Sequence, residues 1–265
     1  MFLFTNRLTI IKIIKPKVNS VAIQTNPERD ESQKTGAVKR RRLGLAERER
    51  QILDGAIEFF ALKGFDGQLR DLARSIGVTH ALLYHYFPTK QALIDRVYVE
   101  LFEGRWRTEW EVLLDDKQLP AEDKLTSFYQ DYVNTALTRD FVRILVFSGL
   151  TDHTITDRFF GLLRERLFPR LIRETRLYRG LKSRAKPSTR ELELLMGLHG
   201  GFFYVAMRRW IYGQVVHTEA TLGDYDEALV RDRVRSYLLS SREFFEKPDS
   251  AGLMAALRRI PGARP

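Results

Sequence analysis

The sequence predicts an all-α protein, and three observations carry that reading. Apolar residues recur at helical spacing from Ile52 to Phe245, no strand alternation of useful length appears, and three short helical stretches between Ile52 and Leu93 are punctuated by glycine turns ahead of a longer helical part.

The first helix shows one apolar face in Ile52, Leu53, Ala56, Ile57 and Phe60, and stops at Lys63-Gly64. Glycine takes the left-handed conformation beyond a helix end without a Cβ clash, and lysine suits the negative end of the helix dipole. A second helix, Leu69 to Ile76, buries Leu69, Leu72, Ala73 and Ile76. Gly77-Val78-Thr79 then forms a three-residue turn, with Thr79 placed to cap a third helix through Ala81, Leu82, Leu83 and Tyr84. Two short helices joined by such a turn make a helix-turn-helix, whose second helix fits a DNA major groove.

Pro88-Thr89-Lys90 opens a long helix expected from Thr89 to about Leu114, with Leu93, Val97, Leu101, Phe102, Trp106, Trp110 and Leu113 as its stripe. Pro120 to Asp123 start the next helix, with acids in its first turn as the dipole prefers. Helices from Phe141 to about Gly149 and from Ile155 to about Tyr178 follow. Pro169 removes a backbone donor from the second of these, so a kink is expected near Leu167-Phe168. Gly180 to Pro187 reads as a basic loop. Helices Thr189 to Tyr212 and Tyr225 to about Phe245 close the body, and a tail after Pro248 holds one short helix, Ala251 to Arg258.

Composition narrows the function. The 265 residues include no apolar run near the ~20 that a membrane span needs. The N-terminal MFLFTNRLTIIKIIKPKV is interrupted by Arg7, Lys12 and Lys15 and lacks a small-residue cleavage site, so it reads as a disordered arm or a misassigned start rather than an export signal. The absence of cysteine excludes disulfides and thiolate metal sites and fits a cytoplasmic location. No nucleophile motif, phosphate loop or metal-ligand cluster appears, so neither an enzyme nor a cofactor is expected. His80 and His85, at i and i+5, do not share a helix face. The net charge is +10, and residues 1–50 hold twelve Lys and Arg against five acids, +7 of that total. Lys39, Arg40, Arg41 and Arg42 sit just before the first helix, where a flexible arm reaches a minor groove or phosphates.

The run ILDGAIEFFALKGFDGQLRDLARSIGVTHALLYHYFPTKQAL resembles the DNA-binding head of the TetR family of bacterial transcriptional repressors. The resemblance rests on Lys63-Gly64-Phe65, Asp71-Leu72-Ala73, Gly77-Val78-Thr79, Leu83-Tyr84-His85-Tyr86-Phe87 and Thr89-Lys90. One departure is the stretch Gly64 to Leu69, one residue shorter than usual and without the hydroxyl that caps the second helix; Asp66 or Gln68 is left to do so.

That resemblance implies a three-helix head on a six-helix ligand-binding and dimerisation body. The domains are then a basic disordered arm at 1–42, a DNA-binding domain at 43–92, an effector and dimerisation domain at 93–247, and a tail at 248–265. By match to the family motif, His80, Ala81, Leu82 and His85 face base edges, while Thr79, Tyr84, Tyr86 and Lys90 hold phosphates. Leu83 and Phe87 are assigned to the core. The implied partners are a double-stranded DNA operator, a second copy docked through the last two body helices, and a small-molecule effector. Trp106, Phe128, Tyr132, Arg143, Phe147, Phe159, His199 and Phe203 are the candidate pocket lining. Gly197, Gly200 and Gly201, each unfavourable inside a helix, suggest close approach of a second helix or a ligand there. The reading is thus a repressor released from a palindromic operator by an effector. The alternative is an effector-independent architectural or cell-division factor of the same fold.

Overall fold

The backbone of a computed structural model describes residues 44–214 and 227–246. Among these residues there are eleven α-helical segments and no strand. The segments are α1 (Leu45–Lys63), α2 (Leu69–Ser75), α3 (His80–Tyr86), α4 (Lys90–Tyr98), α5 (Thr108–Asp115), α6 (Ala121–Thr135), α7 (Arg139–Gly149), α8 (Thr154–Leu162), α9 (Phe168–Tyr178), α10 (Thr189–Trp210) and α11 (Glu227–Glu246). The expected arm at 1–42, its Lys39–Arg42 run and the tail helix at 251–258 lie outside the described residues.

The first three helices form as their periodicity dictates. Ile52, Leu53, Ala56, Phe60, Leu72 and Leu83 are at most 1% exposed, and burying each of the larger side chains among them contributes roughly 1.5–3 kcal/mol. Gly55 has a packing reason: a Cβ there would sit 2.2 Å from Cγ2 of Ile76, so only glycine lets the end of α2 meet α1. The side-chain amide of Gln51 donates to the Ile76 carbonyl at 3.2 Å and fixes the same junction. The caps are those the threonines promise, since Thr79 Oγ1 accepts from Leu82 N at 3.1 Å and Thr89 Oγ1 accepts from Ala92 N at 3.0 Å. Gln68 occupies the N-cap of α2, but its side chain makes no capping bond.

The long helix expected from Thr89 to Leu114 is not continuous. It widens into a π turn at Val99–Glu103, breaks at residues 104–107 and restarts as α5. Tertiary partners impose the break. The Arg105 guanidinium donates to the Thr135 carbonyl at 3.3 Å and to Thr138 Oγ1 at 2.8 Å, drawing the chain under the α6–α7 turn. Phe102 and Trp110 consequently serve different clusters: Phe102 packs on Tyr98, Phe141 and Phe159, and Trp110 on Phe128 and Tyr132. At the expected kink before Pro169, a second π turn, Leu163–Leu167, joins α8 to α9.

The body core lies between α6, α7, α9 and α10 and includes Tyr129, Phe128, Phe141 and Phe202, each at most 1% exposed. It also buries charge. Lys124 Nζ meets Glu174 Oε2 at 2.6 Å with both side chains under 5% exposed, and Arg173 Nε reaches Glu174 Oε1 at 3.0 Å. A buried carboxylate persists only when paired in this way. At the far end Arg176 forks onto Glu191 at 2.7 and 2.6 Å and Arg179 adds a third bond at 2.9 Å. The Arg176 hydrogen bonds, with further ones from Ser188, hold the Glu191 carboxyl down at about 2.

Candidate nucleic-acid interface

The short helix α3 presents a sorted surface. Leu83 and Phe87 turn inward at 0% and 5% exposure, while Thr79, His80, Ala81, Tyr84 and His85 are exposed and Leu82, Tyr86 and Lys90 are half-buried. The sorting follows from Leu83, which is buried in the core and anchors α3 so that its first turn faces out. His80 lies edge-on to the Tyr84 ring at 4.7 Å and His85 edge-on to Tyr86 at 5.4 Å, so each imidazole is steadied by an aromatic neighbour. A row of exposed polar groups and small side chains on a helix with an anchored back is what groove insertion requires.

The surface is braced from behind. Arg50 of α1 meets Glu100 of the π turn at 2.6 Å, and Arg96 of α4 reaches the same carboxylate at 3.2 Å and Glu49 at 3.7 Å. Led by the Arg50 hydrogen bond, these cations lower the pKa of Glu100. A second brace joins α1 to α7. The backbone turns at Gly64 with φ 71°, and a Cβ there would meet the Phe147 ring at 3.0 Å. Arg143, also on α7, donates from Nε to the Ala61 carbonyl and from Nη1 to the Trp210 carbonyl at 3.5 Å, so one guanidinium joins the ends of α1 and α10.

The residues of the expected pocket lie in more than one place. Arg143 and Phe147 sit at the α1–α7 junction, and Phe159 belongs to the Phe102–Phe141 cluster. Only part of the set converges: Phe128 stacks on Tyr132 at 5.6 Å, Tyr132 Oη lies 3.4 Å from His199 Nε2, and Trp106 approaches through Trp110. Phe203 is half-buried against the core. Burial in this ring cluster lowers the His199 pKa to about 4, keeping the imidazole neutral, and raises that of Tyr132. Sequence reasoning missed the Trp110 side chain as a centre of this cluster, and its helical stripe gave the only available signal.

A groove of about 520 Å³ runs elsewhere, between α10 and α11, lined by Leu194, Gly197, Leu198, Leu229, Arg233 and Tyr237 among others. Among the described residues, no atom beyond the helix's own backbone would come within 4 Å of a Cβ at Gly197 or Gly200, whereas Gly201 faces Arg233 Nη1 at 3.0 Å. Among the described residues no helix is long and apolar enough to cross a membrane, and no group of three or more His, Asp or Glu side chains is placed to hold a metal ion.

Residues 52–97 match the family of bacterial regulatory proteins called the tetR family. No curated protein matches the chain. Among solved structures, a tetR-family transcriptional regulator from Streptomyces coelicolor superposes with a TM-score of 0.51 at 17% identity, over 84% of this chain and 92% of that one. A proposed fatty acid metabolism regulator of Clostridium perfringens gives 0.52 at 16% identity, over 72% and 97%. A TetR-like regulator from Rhodococcus gives 0.47 at 23% identity, over 78% and 100%. Residues 52–97 thus match the tetR family, and the described residues share the all-helical fold of such solved regulators.

Proposed function

We propose that the protein is a repressor that binds a palindromic operator as a homodimer and leaves it when a small molecule enters the body. The observation that carries this reading is α3, with its exposed Thr79, His80, Ala81, Tyr84 and His85 on a buried Leu83–Phe87 anchor. His80, Ala81, Leu82 and His85 read bases, and Thr79, Tyr84, Tyr86 and Lys90 hold phosphates, with the Lys39–Arg42 run adding backbone contacts. The DNA-binding unit is placed at residues 43–92 and the effector and dimerisation unit at 93–247. The α10–α11 groove, with Gly197 open to approach, supports docking of a second copy through these two helices.

Release is supported by the braces. A body ligand that shifts α4 or α7 acts on α1 through Glu100 and Arg143, and two heads held at fixed separation tolerate little such change. By linkage, DNA then lowers effector affinity by the same factor as the effector lowers DNA affinity. The test is a compound screen against the operator complex, followed by titration of any hit against free and DNA-bound protein. Weaker binding to the DNA-bound form is expected; equal affinity for both leaves the effector-independent factor as the better reading.

A further inference from the structure

Cations on the helices of the body are matched with acids in ladders. Arg166, Arg170 and Arg173 meet Glu111 and Asp115, and Arg231 and Arg235 meet Asp123 and Glu122. The turn between α9 and α10 departs from that pattern. From Arg179 to Arg190 the sequence holds five Lys and Arg and no acid. Lys182, Arg184 and Lys186 are exposed, and none of them meets a carboxylate among the described residues. The next acid along the chain, Glu191, is already taken by Arg176 and Arg179.

The turn is held in shape from beneath. α9 closes at Gly180, φ 79°, whose N–H donates to the Leu177 carbonyl at 2.9 Å while the Leu181 N–H donates to the Arg176 carbonyl at 2.8 Å. An apolar contact usually covers the residue after such a glycine. Here Leu181 stays 50% exposed and Leu177 44%. The buried Arg176 guanidinium clamps the far limb, donating to the Ala185 carbonyl at 2.6 Å and the Lys186 carbonyl at 3.2 Å. The turn also lies far from the head. Its end meets the first residue of α10, a helix of 22 residues and so about 33 Å long, whose last residue, Trp210, is tied through Arg143 to the end of α1. Over that distance physiological salt screens these charges from DNA held by α3.

We propose that the α9–α10 turn is a docking surface for a partner protein, and that the segment it receives is acidic with apolar side chains among its carboxylates. Charge complementarity with Lys182, Arg184 and Lys186 sets the acids, and exposed Leu177 and Leu181 set the apolar groups. Duplex DNA answers the cations with phosphates but offers the two leucines nothing. An anionic membrane draws cations wherever they lie and gains nothing from a clamped backbone. Carboxylates that pair with discrete positions do gain, because less freedom is lost on docking. The chain's own tail, 247–265, carries four Lys and Arg against one Asp and is repelled from the turn.

The test titrates the full chain into a fluorescent peptide of four Leu-Glu-Glu repeats at about 0.15 M salt, reading anisotropy, with operator affinity measured alongside. Lys182→Ser with Arg184→Ser and Lys186→Ser should lower peptide affinity about tenfold, the combined effect of three exposed ion pairs, and leave operator affinity unchanged. Leu177→Ser with Leu181→Ser should lower peptide affinity severalfold, as should a peptide of Ser-Glu-Glu repeats. The proposal is overturned if the triple variant binds the peptide as wild type does, which moves the contact to the basic arm, or if the Ser-Glu-Glu peptide binds as tightly, which leaves charge alone. It is also overturned if the triple variant loses more affinity for phosphatidylserine vesicles, or for a duplex without the operator, than for the peptide, which assigns the turn to a membrane or to DNA. Arg184→Glu alone decides should the triple variant not fold. A wild-type chain that binds the peptide through this turn but selects no operator refutes the repressor reading and leaves the docking surface standing.

Discussion

Acid should loosen the body through His199 before it reaches most carboxylates. The imidazole is enclosed by Tyr129, Tyr132 and Phe168, and burial lowers its pKa from 6.5 to about 4. In the unfolded chain it takes up a proton near pH 6.5, and in the folded chain only near pH 4. Between those values the unfolded state binds more protons, so stability is full above pH 6.5 and falls as the pH drops toward 4. The loss from this group is about 2 kcal/mol at pH 5 and about 3 kcal/mol at pH 4. Glu191, held at about 2, is lost below pH 4.5 instead, in wild type and variant alike. The assay is urea unfolding from pH 8 to pH 4 at fixed protein concentration, on wild type and His199→Gln. The two stability curves should converge, or cross, by about 3 kcal/mol over that range. Parallel curves would show that His199 titrates alike folded and unfolded, and would refute its burial as a neutral group.

The other outcomes concern single residues. Lys124→Met leaves Glu174 with Arg173 alone and should destabilise by about 3–5 kcal/mol in chemical denaturation, whereas adding Glu174→Leu should recover much of the loss. Arg143→Met strands the Ala61 and Trp210 carbonyls and should cost about 1–3 kcal/mol; a silent variant would deny the junction its role. His80→Ala should relax preference at one or two base pairs by roughly 1–3 kcal/mol each, while Lys90→Ala weakens all sequences alike, as read by binding to a panel of single-substitution duplexes. Deleting residues 1–42 should flatten the salt dependence of DNA binding by about 0.9 in slope for each phosphate the arm no longer neutralises.

Local rules carried the reading of the head. Periodicity in Ile52 to Phe60, the turn at Gly77 and the hydroxyls of Thr79 and Thr89 are all decided within a few residues, so α1, α3 and their caps are legible in sequence. The break before α5 is not, because Leu93, Val97, Leu101 and Trp106 stay in helical phase while the cause lies with Thr135 and Thr138, some thirty residues away. Arg143 and Phe147 sat on an apolar helix face just as pocket residues would. Their partners, a backbone carbonyl and a glycine of α1, are fixed only by the packing of α7 on α1. Lys124 and Glu174 are fifty residues apart, and neither position signals the other.

The central claim, that α3 reads DNA as one half of a symmetric pair, is tested most directly by selecting duplexes from a random pool with the full chain and footprinting the winners. An inverted repeat is predicted, with its half-sites centred one helical turn, about 34–36 Å, or a whole multiple of it apart on one face of the duplex, and with protection lost at the bases that His80→Ala ceases to prefer. Selection of a single asymmetric half-site, bound as tightly as the repeat, would contradict it.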